Sequence, residues 1–270
     1  MANTEPVHFF DITSTLPGAQ KSWSPNTIKV RSVLNFKGIP YTQSWISYPD
    51  IAPLIKSLGI EPHKTGPAAY TLPAIVHKSS VTSNPHGAMM DSIPIVLHLD
   101  KTFPSKPLFP SGDASYALLM AVMKITAATV PAPRTLIIPQ VADLLDPRGK
   151  EYFIETRSKF FGKPLAEVRP TDQDTIDQLW KDIEPHIDTL ATMLRGREGK
   201  KGPFFEGETA GMADLYLASY MAWFERIDQT AFERFTSVGN GELKALWEAC
   251  KPWINGQGEE KEWPIPQAST

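Results

Sequence analysis

The hydrophobic pattern of the chain changes at a polar, proline-rich stretch, Lys101 to Asp113. Before this stretch, short runs that alternate as strands do are interspersed with runs at helical spacing. After it, the apolar residues recur almost throughout at helical spacing. A stretch of this composition between two such regions is typical of an interdomain linker. The sequence therefore predicts a small α/β domain over residues 1–104 and a larger all-helical domain over residues 113–270.

Composition excludes several classes of protein. A chain of 270 residues, 41% of them apolar, is long enough for one large domain or two ordinary ones. The net charge of -3 and the lack of charge runs argue against a nucleic-acid or anionic-membrane partner. Cys250 is the only cysteine, and the six histidines show no metal-ligand spacing, so we expect no disulfide framework and no metal.

The same features bear on where the protein is found. The segment Met1–Phe10 lacks the basic region and the apolar core of a signal peptide. No apolar run approaches the length of a membrane span, and a single cysteine suits a reducing compartment. We therefore expect a cytoplasmic protein that does not cross a membrane.

The first candidate for chemistry is Ser24, which stands before Pro25 at the predicted N-terminus of a helix. Serine is a favourable N-cap, and proline is tolerated at the first helical position because its missing N–H would be unpaired there. Gly38 is suited to end this helix, which lies between predicted strands at residues 7–13 and 41–48. On these grounds alone the Ser24 hydroxyl has two interpretations: a structural cap, or a group that faces a substrate.

Two further short motifs allow both a structural and a functional interpretation. The Leu72–Pro73 bond just before a strand is trans in most proteins, but a cis bond there would expose the Leu72 backbone to pair with an extended peptide. Asp91 and Ser92 begin a helix, where they are suited either to a plain cap or to a ligand. In the second case Ser92 and the free N–H groups would receive a carboxylate, and Asp91 would pair with an ammonium.

Taken together, these residues resemble those of the glutathione transferases. That family has a catalytic Ser, Tyr or Cys at its first helix, a cis-proline after a hydrophobic residue, and an acidic residue followed by Ser at its third helix. Ser24, Leu72–Pro73 and Asp91–Ser92 match these positions, and Asp214 within Ala-Asp-Leu matches the buried Asp of the family's helical domain. The resemblance implies a thioredoxin-like first domain and an all-helical second domain.

The chain also has features of one subgroup and departures from the family. The run Ser24–Tyr41 and the stretch Phe160–Val168 resemble the etherase-like transferases, and a fungal-specific class related to the bacterial lignin β-etherases is the nearest match. Gly211 stands where the family usually has Ser or Thr, so we expect Asp214 to bond backbone N–H groups without that partner. Thr71 stands where many relatives use Gln.

The resemblance implies a role for each candidate residue. Ser24 would activate the glutathione thiol, with Asn26 as a second donor, although Asn26 equally suits an ordinary first-turn position. The residues expected to bind glutathione are Thr71, Leu72, Pro73, Asp91, Ser92 and His63. The residues expected to bind the acceptor, for which plain packing is an equal explanation, are Tyr116, Met120, Met123 and Arg134.

The function implied is attack by the glutathione thiolate on hydrophobic aromatic electrophiles, with aryl-ether cleavage as a narrower version. A detoxifying transferase of this kind is expected to be a homodimer. The alternative is a ligandin, which binds aromatic metabolites with little or no turnover. Both interpretations require glutathione-transferase architecture, and the same motifs are compatible with either.

Overall fold

The computed structural model describes residues 5–66 and 68–266, so the ends of both predicted domains and the first residues of the segment considered for a signal peptide lie outside the described residues. Two compact units are present. The first combines residues up to 106 with Leu145–Tyr152 and the chain from Asn255 onward. The second comprises Pro107–Leu144 and Phe153–Ile254.

The first unit is built on a mixed sheet. Its strands are β1 (Val7–Ile12), β2 (Tyr41–Ile46), β3 (Ala74–Val76), β4 (Ala88–Met90) and β5 (Glu259–Glu260). Their spatial order is β4-β3-β1-β2-β5, with β1 parallel to β2, β2 parallel to β5, and β1–β3 and β3–β4 antiparallel. All six residues of β1 are buried, as expected for a central strand.

The helices of this unit complete a thioredoxin-like arrangement. They are α1 (Pro25–Lys37), α2 (Ile51–Ser57) and α3 (Ser92–Thr102). α1 connects the parallel strands β1 and β2, and α3 follows the antiparallel pair β3–β4 and packs against α1. Gly38 ends α1 with φ of 67° and donates its N–H to the last carbonyls, as the sequence predicts.

The second unit is helical. Its helices are α4 (Asp113–Thr129), α5 (Pro131–Leu136), α6 (Pro147–Phe161, whose first residues group with the first unit), α7 (Gln173–Arg195), α8 (Met212–Ile227), α9 (Gln229–Ser237) and α10 (Glu242–Asn255, whose last residue groups with the first unit). A 3-10 segment, Ile138–Leu144, follows α5, so the break predicted near Pro139 is confirmed. α4 packs against α7 and α8 around Trp180, Tyr220 and Phe224. The predicted fold class, an α/β thioredoxin-like domain and an all-helical domain, is confirmed.

Within the described residues, no helix has both the length and the apolar content that crossing a bilayer requires.

Candidate active site

Ser24 lies at the N-cap position of α1, and Pro25 is the first helical residue. Its backbone is extended, with φ of -71° and ψ of 127°, and its carbonyl accepts the first helical hydrogen bond from Ile28 at 2.9 Å. Its side chain, by contrast, makes no capping hydrogen bond with the described residues. Ser24 is 5% exposed. The hydroxyl therefore stands at the positive end of a helix without serving as its cap.

α1 is buried on nearly all sides, so each of its polar side chains needs a partner. Lys29 is 8% exposed, and its Nζ donates to Asn26 Oδ1 at 2.8 Å. Burial lowers the pKa of Lys29 to about 8, and the negative charge of Asp91 acts in the opposite direction. Asn26, although exposed, is thus held by a buried ammonium two residues after Ser24.

The segment that leads to Ser24 is fixed by an ion pair beneath it. Arg31 of α1 and Asp11 of β1 are fully buried, and Arg31 Nη2 lies 2.9 Å from Asp11 Oδ2. Ser22 Oγ donates to the same carboxylate oxygen at 2.6 Å and accepts from Arg31 Nε at 3.1 Å. Ser22 is two residues before Ser24, so this pair ties the preceding loop to both the strand and the helix.

The same guanidinium binds the C-terminal part of the chain. Arg31 Nη1 donates to Gln43 Oε1 at 2.6 Å and to Gln257 Oε1 at 3.0 Å. Gln43 Nε2 also donates to Gln257 Oε1, at 3.0 Å. Residues from opposite ends of the sequence therefore share one buried hydrogen-bond network inside the first unit.

The second and third motifs are adjacent in the structure. The Leu72–Pro73 peptide bond is cis, as one of the two sequence interpretations requires. The Pro73 carbonyl accepts a hydrogen bond from the Asp91 N–H at 3.1 Å. Asp91 itself has φ of 83°, a region that non-glycine residues rarely adopt, and Ser92 behind it is 5% exposed. Since Asp91 also acts on Lys29, the N-termini of α1 and α3 are electrostatically linked.

His63 and Thr71, both predicted to lie at the site, are in contact. His63 Nε2 is 3.1 Å from Thr71 Oγ1, and the His63 N–H donates to the Ala69 carbonyl at 2.8 Å. The loop before Leu72 is thereby closed on itself. The structure places His63 one residue away from the Leu72–Pro73 motif in space, through Thr71.

The predicted acceptor residues lie on α4 and α5 of the second unit. Tyr116 and Met120 are one turn apart on α4 and are 43% and 48% exposed, and Met123 on the next turn is partly buried. Arg134 of α5 is exposed, and its guanidinium carbon lies 5.2 Å from the ring centroid of Phe160. These side chains offer an apolar surface with a cation near its end.

Asp214 is structural. It lies in the first turn of α8, 1% exposed, and its carboxylate accepts the backbone N–H of Gly211 and of Phe205, both at 2.8 Å. Burial raises the pKa of Asp214 to about 7, although the two backbone hydrogen bonds act to lower it. The prediction that Asp214 bonds backbone N–H groups without the usual Ser or Thr is confirmed.

The remaining reactive side chains do not form a second centre. Cys250 is fully buried, and burial raises the pKa of its thiol, so the side chain behaves as a packing residue. In the described part of the chain, no group of three or more His, Cys, Asp or Glu side chains is placed to hold a metal ion.

Comparisons with known proteins agree with this arrangement. The N-terminal domain model of the glutathione S-transferases matches residues 23–102, and the C-terminal domain model matches residues 117–253. The chain is 54% identical to the glutathione S-transferase-like protein ustS of Aspergillus flavus, over 100% of this chain and 99% of that protein. The chain belongs to the glutathione S-transferase family.

Solved structures show the same fold. The crystal structure of a glutathione S-transferase of Ceriporiopsis subvermispora in complex with glutathione is 30% identical, with a TM-score of 0.78 over 92% of this chain and 98% of that one. Glutathione transferase GSTFuA3 from Phanerochaete chrysosporium is also 30% identical, with a TM-score of 0.77 over 93% of this chain and 98% of that one.

Sequence reasoning did not identify Lys29 or the pair of Arg31 with Asp11. One signal was present: two cations stand within the otherwise apolar run Ile28–Leu34, where charged residues require partners. The acceptors come from an amide on the same helix and a carboxylate on a strand, and helical spacing predicts only the first of these.

Proposed function

We propose that this protein is a serine-type glutathione transferase, in which Ser24 stabilises the glutathione thiolate for attack on hydrophobic aromatic electrophiles. The single observation that carries the proposal is the Ser24 hydroxyl, which occupies an N-cap position and makes no capping bond. A hydroxyl that donates to sulfur at the positive end of a helix favours the ionised form of a thiol.

The magnitude is sufficient for catalysis. Lowering a thiol pKa by about 2 requires about 2.7 kcal/mol of preferential thiolate stabilisation. One hydrogen bond to a charged acceptor contributes about 1.5–3 kcal/mol, and the helix dipole adds about 0.3–1 kcal/mol. Asn26, held by Lys29, is the proposed second donor.

The other site residues take the roles that the sequence predicts. Leu72, before the cis bond to Pro73, is proposed to pair its backbone with the cysteinyl unit of glutathione. Asp91 and Ser92 at the start of α3 are proposed to bind its γ-glutamyl ammonium and carboxylate. His63 with Thr71 is proposed to contact its glycyl end. The complex of the Ceriporiopsis protein with glutathione supports glutathione as co-substrate.

For the acceptor, we propose the surface of Tyr116, Met120, Met123 and Arg134. Aryl-ether cleavage is the narrower reaction: the thiolate would form a C–S bond as the C–O bond breaks, and a phenoxide would leave. Relatives from three fungi support the proposed fungal, etherase-like subclass. A fluorescent aryl-ether substrate tests this reaction directly, since release of the fluorophore requires the ether bond to break.

Replacing Ser24 with alanine tests the central proposal. We expect kcat/KM for a chlorodinitrobenzene acceptor to fall about 10- to 150-fold, because one hydrogen bond to a charged group is lost. The pKa of the bound thiol, followed by thiolate absorbance, should rise by about 1 to 2. Ser219→Ala is the matched control, since Ser219 is a buried helical serine of the second unit whose Oγ donates to the Leu215 carbonyl.

Unchanged pH–rate profiles in Ser24→Ala would refute the serine-type mechanism. Dye displacement measured on the same sample separates catalysis from storage, because a ligandin would bind aromatic dyes tightly and show negligible turnover. Homodimerisation and a cytoplasmic location remain predictions, and sedimentation at micromolar concentration tests the first of them.

A further inference from the structure

Lys29 is an unusual residue for its position. It lies in the second turn of α1, five residues after Ser24, and is 8% exposed. A buried ammonium loses most of its hydration, so it persists in a fold only where nearby groups compensate for that loss. Its position beside the proposed thiol site therefore requires an explanation that packing alone does not supply.

A comparison with Lys37 of the same helix defines what is particular to Lys29. Lys37 is equally buried, at 6% exposure, and forms an ion pair with Asp100, with Nζ 2.7 Å from Oδ1. Lys29 donates to the neutral amide oxygen of Asn26 at 2.8 Å, and the charge that acts on it is that of Asp91. Lys37 thus fastens α1 to α3, whereas Lys29 is directed to two residues of the proposed glutathione site.

The charge of the ligand indicates the role. Glutathione carries two carboxylates and one ammonium, and ionisation of its thiol adds a further negative charge. Asp91, which the proposed function pairs with the ammonium, is itself negative. The other buried cations of α1 are neutralised elsewhere, Arg31 by Asp11 and Lys37 by Asp100. A bound thiolate therefore requires a positive charge near the start of α1, and Lys29 is placed to provide it.

We propose that Lys29 is a positioning residue of the glutathione site, which holds the Asn26 side chain at the start of α1 and balances the negative charge of bound glutathione. This inference rests on the proposed function, because it assumes that glutathione binds at Ser24. It assigns the site a buried cation in addition to its hydrogen-bond donors.

The protonation of Lys29 gives the inference a pH signature. Burial lowers the pKa of Lys29 to about 8, so the free site loses its cation as the pH rises above that value. The packed neighbours of α1 contribute Asp11 from β1 and Asp91 and Asp100 from α3, of which Asp11 and Asp100 form the ion pairs described above. Binding of an anion raises the pKa of an adjacent ammonium, so binding above pH 8 should be accompanied by proton uptake.

Substitution tests this role against a structural one. In Lys29→Met we expect the KM for glutathione to rise about 10-fold or more and the pKa of the bound thiol to rise, because a charged hydrogen bond and a cation are lost. Lys29→Arg should recover most of both values, since it keeps the charge. Lys37→Met, the matched control, should lower stability and leave the thiol pKa unchanged. A folded Lys29→Met with wild-type KM and thiol pKa would overturn the inference.

A calorimetric measurement on the wild-type protein covers the case in which Lys29→Met does not fold. S-methylglutathione has no thiol proton, so its binding at pH 8 in buffers of different ionisation enthalpy reports proton uptake by the protein. We expect uptake of roughly half a proton per site, from a group with a pKa of about 8. Binding without proton uptake, or no binding at all, would overturn the inference. An effect of Lys29→Met together with an unaffected Ser24→Ala would instead refute only the serine mechanism.

Discussion

Replacing Arg31 with methionine is expected to lower the free energy of unfolding by about 3–5 kcal/mol, because the change leaves a buried carboxylate without its cation. Arg31 and Asp11 are both 0% exposed, and their atoms are 2.9 Å apart. Methionine fills a similar volume, so the loss reflects the charge and the hydrogen bonds rather than a cavity.

The magnitude follows from the groups that lose a partner. The Asp11 carboxylate keeps the Ser22 hydroxyl, at 2.6 Å, but loses the charged donor that compensates its desolvation. The side-chain oxygens of Gln43 and Gln257 also lose their shared donor, although Gln43 Nε2 still reaches Gln257. An exposed pair of equal length contributes only about 0–1 kcal/mol, and burial therefore accounts for the difference.

Urea unfolding followed by circular dichroism measures this loss. The matched control is Arg195→Met, which removes an equally short pair with Glu242 at 2.6 Å, with 43% of the Arg195 side chain exposed, and should cost less than about 1 kcal/mol. The double variant Arg31→Met with Asp11→Leu removes both charges and should regain part of the loss. A native-like Arg31→Met that loses less than about 1 kcal/mol would refute the reasoning.

Three further substitutions test other parts of the structure. Burial and the charge of Lys261 lower the pKa of His8 to about 4, so the folded state resists protonation; wild-type stability should fall by up to about 3 kcal/mol as the pH drops from 6.5 through 4, and melts of His8→Gln should show a flatter profile. Asp214→Ala should lower the free energy of unfolding by about 2–4 kcal/mol, because two buried backbone N–H groups lose their acceptor; urea titration measures it, and an unchanged midpoint would contradict the assignment. Gly87→Ala should be destabilising by more than about 1 kcal/mol in the same assay, because Gly87 has φ of 64° and an added Cβ would lie 2.5 Å from Lys78 Cα.

The parts of the fold that sequence patterns predicted are those determined over a few residues. Ser24 and Pro25 at the start of α1, Gly38 at its end, and Asp91 at the start of α3 each satisfy a local rule for helix termini. The cis bond at Leu72–Pro73 was one of two open interpretations until the order of the motifs favoured it. These local rules also located the proposed thiol site, because its residues lie at the ends of elements.

Contacts between distant segments could not be predicted in the same way. Glu259 and Glu260 form β5 beside β2, and Gln257 reaches Arg31 across 226 positions of the sequence. No alternation or apolar run marks this C-terminal segment as a strand, since its two strand residues are exposed glutamates. Its pairing depends on the exposed edge of β2 and on a buried guanidinium, both of which exist only once the sheet has formed.

α1 shows how far sequence reasoning extends in this protein. A helix that is buried all round and carries Lys29, Arg31 and Lys37 must bring three acceptors into the interior, because an uncompensated buried cation costs several kcal/mol. The sequence therefore predicts that such acceptors exist. Their identities range from an amide three residues away to carboxylates 20 and 63 residues away. Two of the three cations are consumed in fastening α1 to its neighbours, and the third, by this elimination and by its contact with Asn26, is the one that the fold leaves for the ligand.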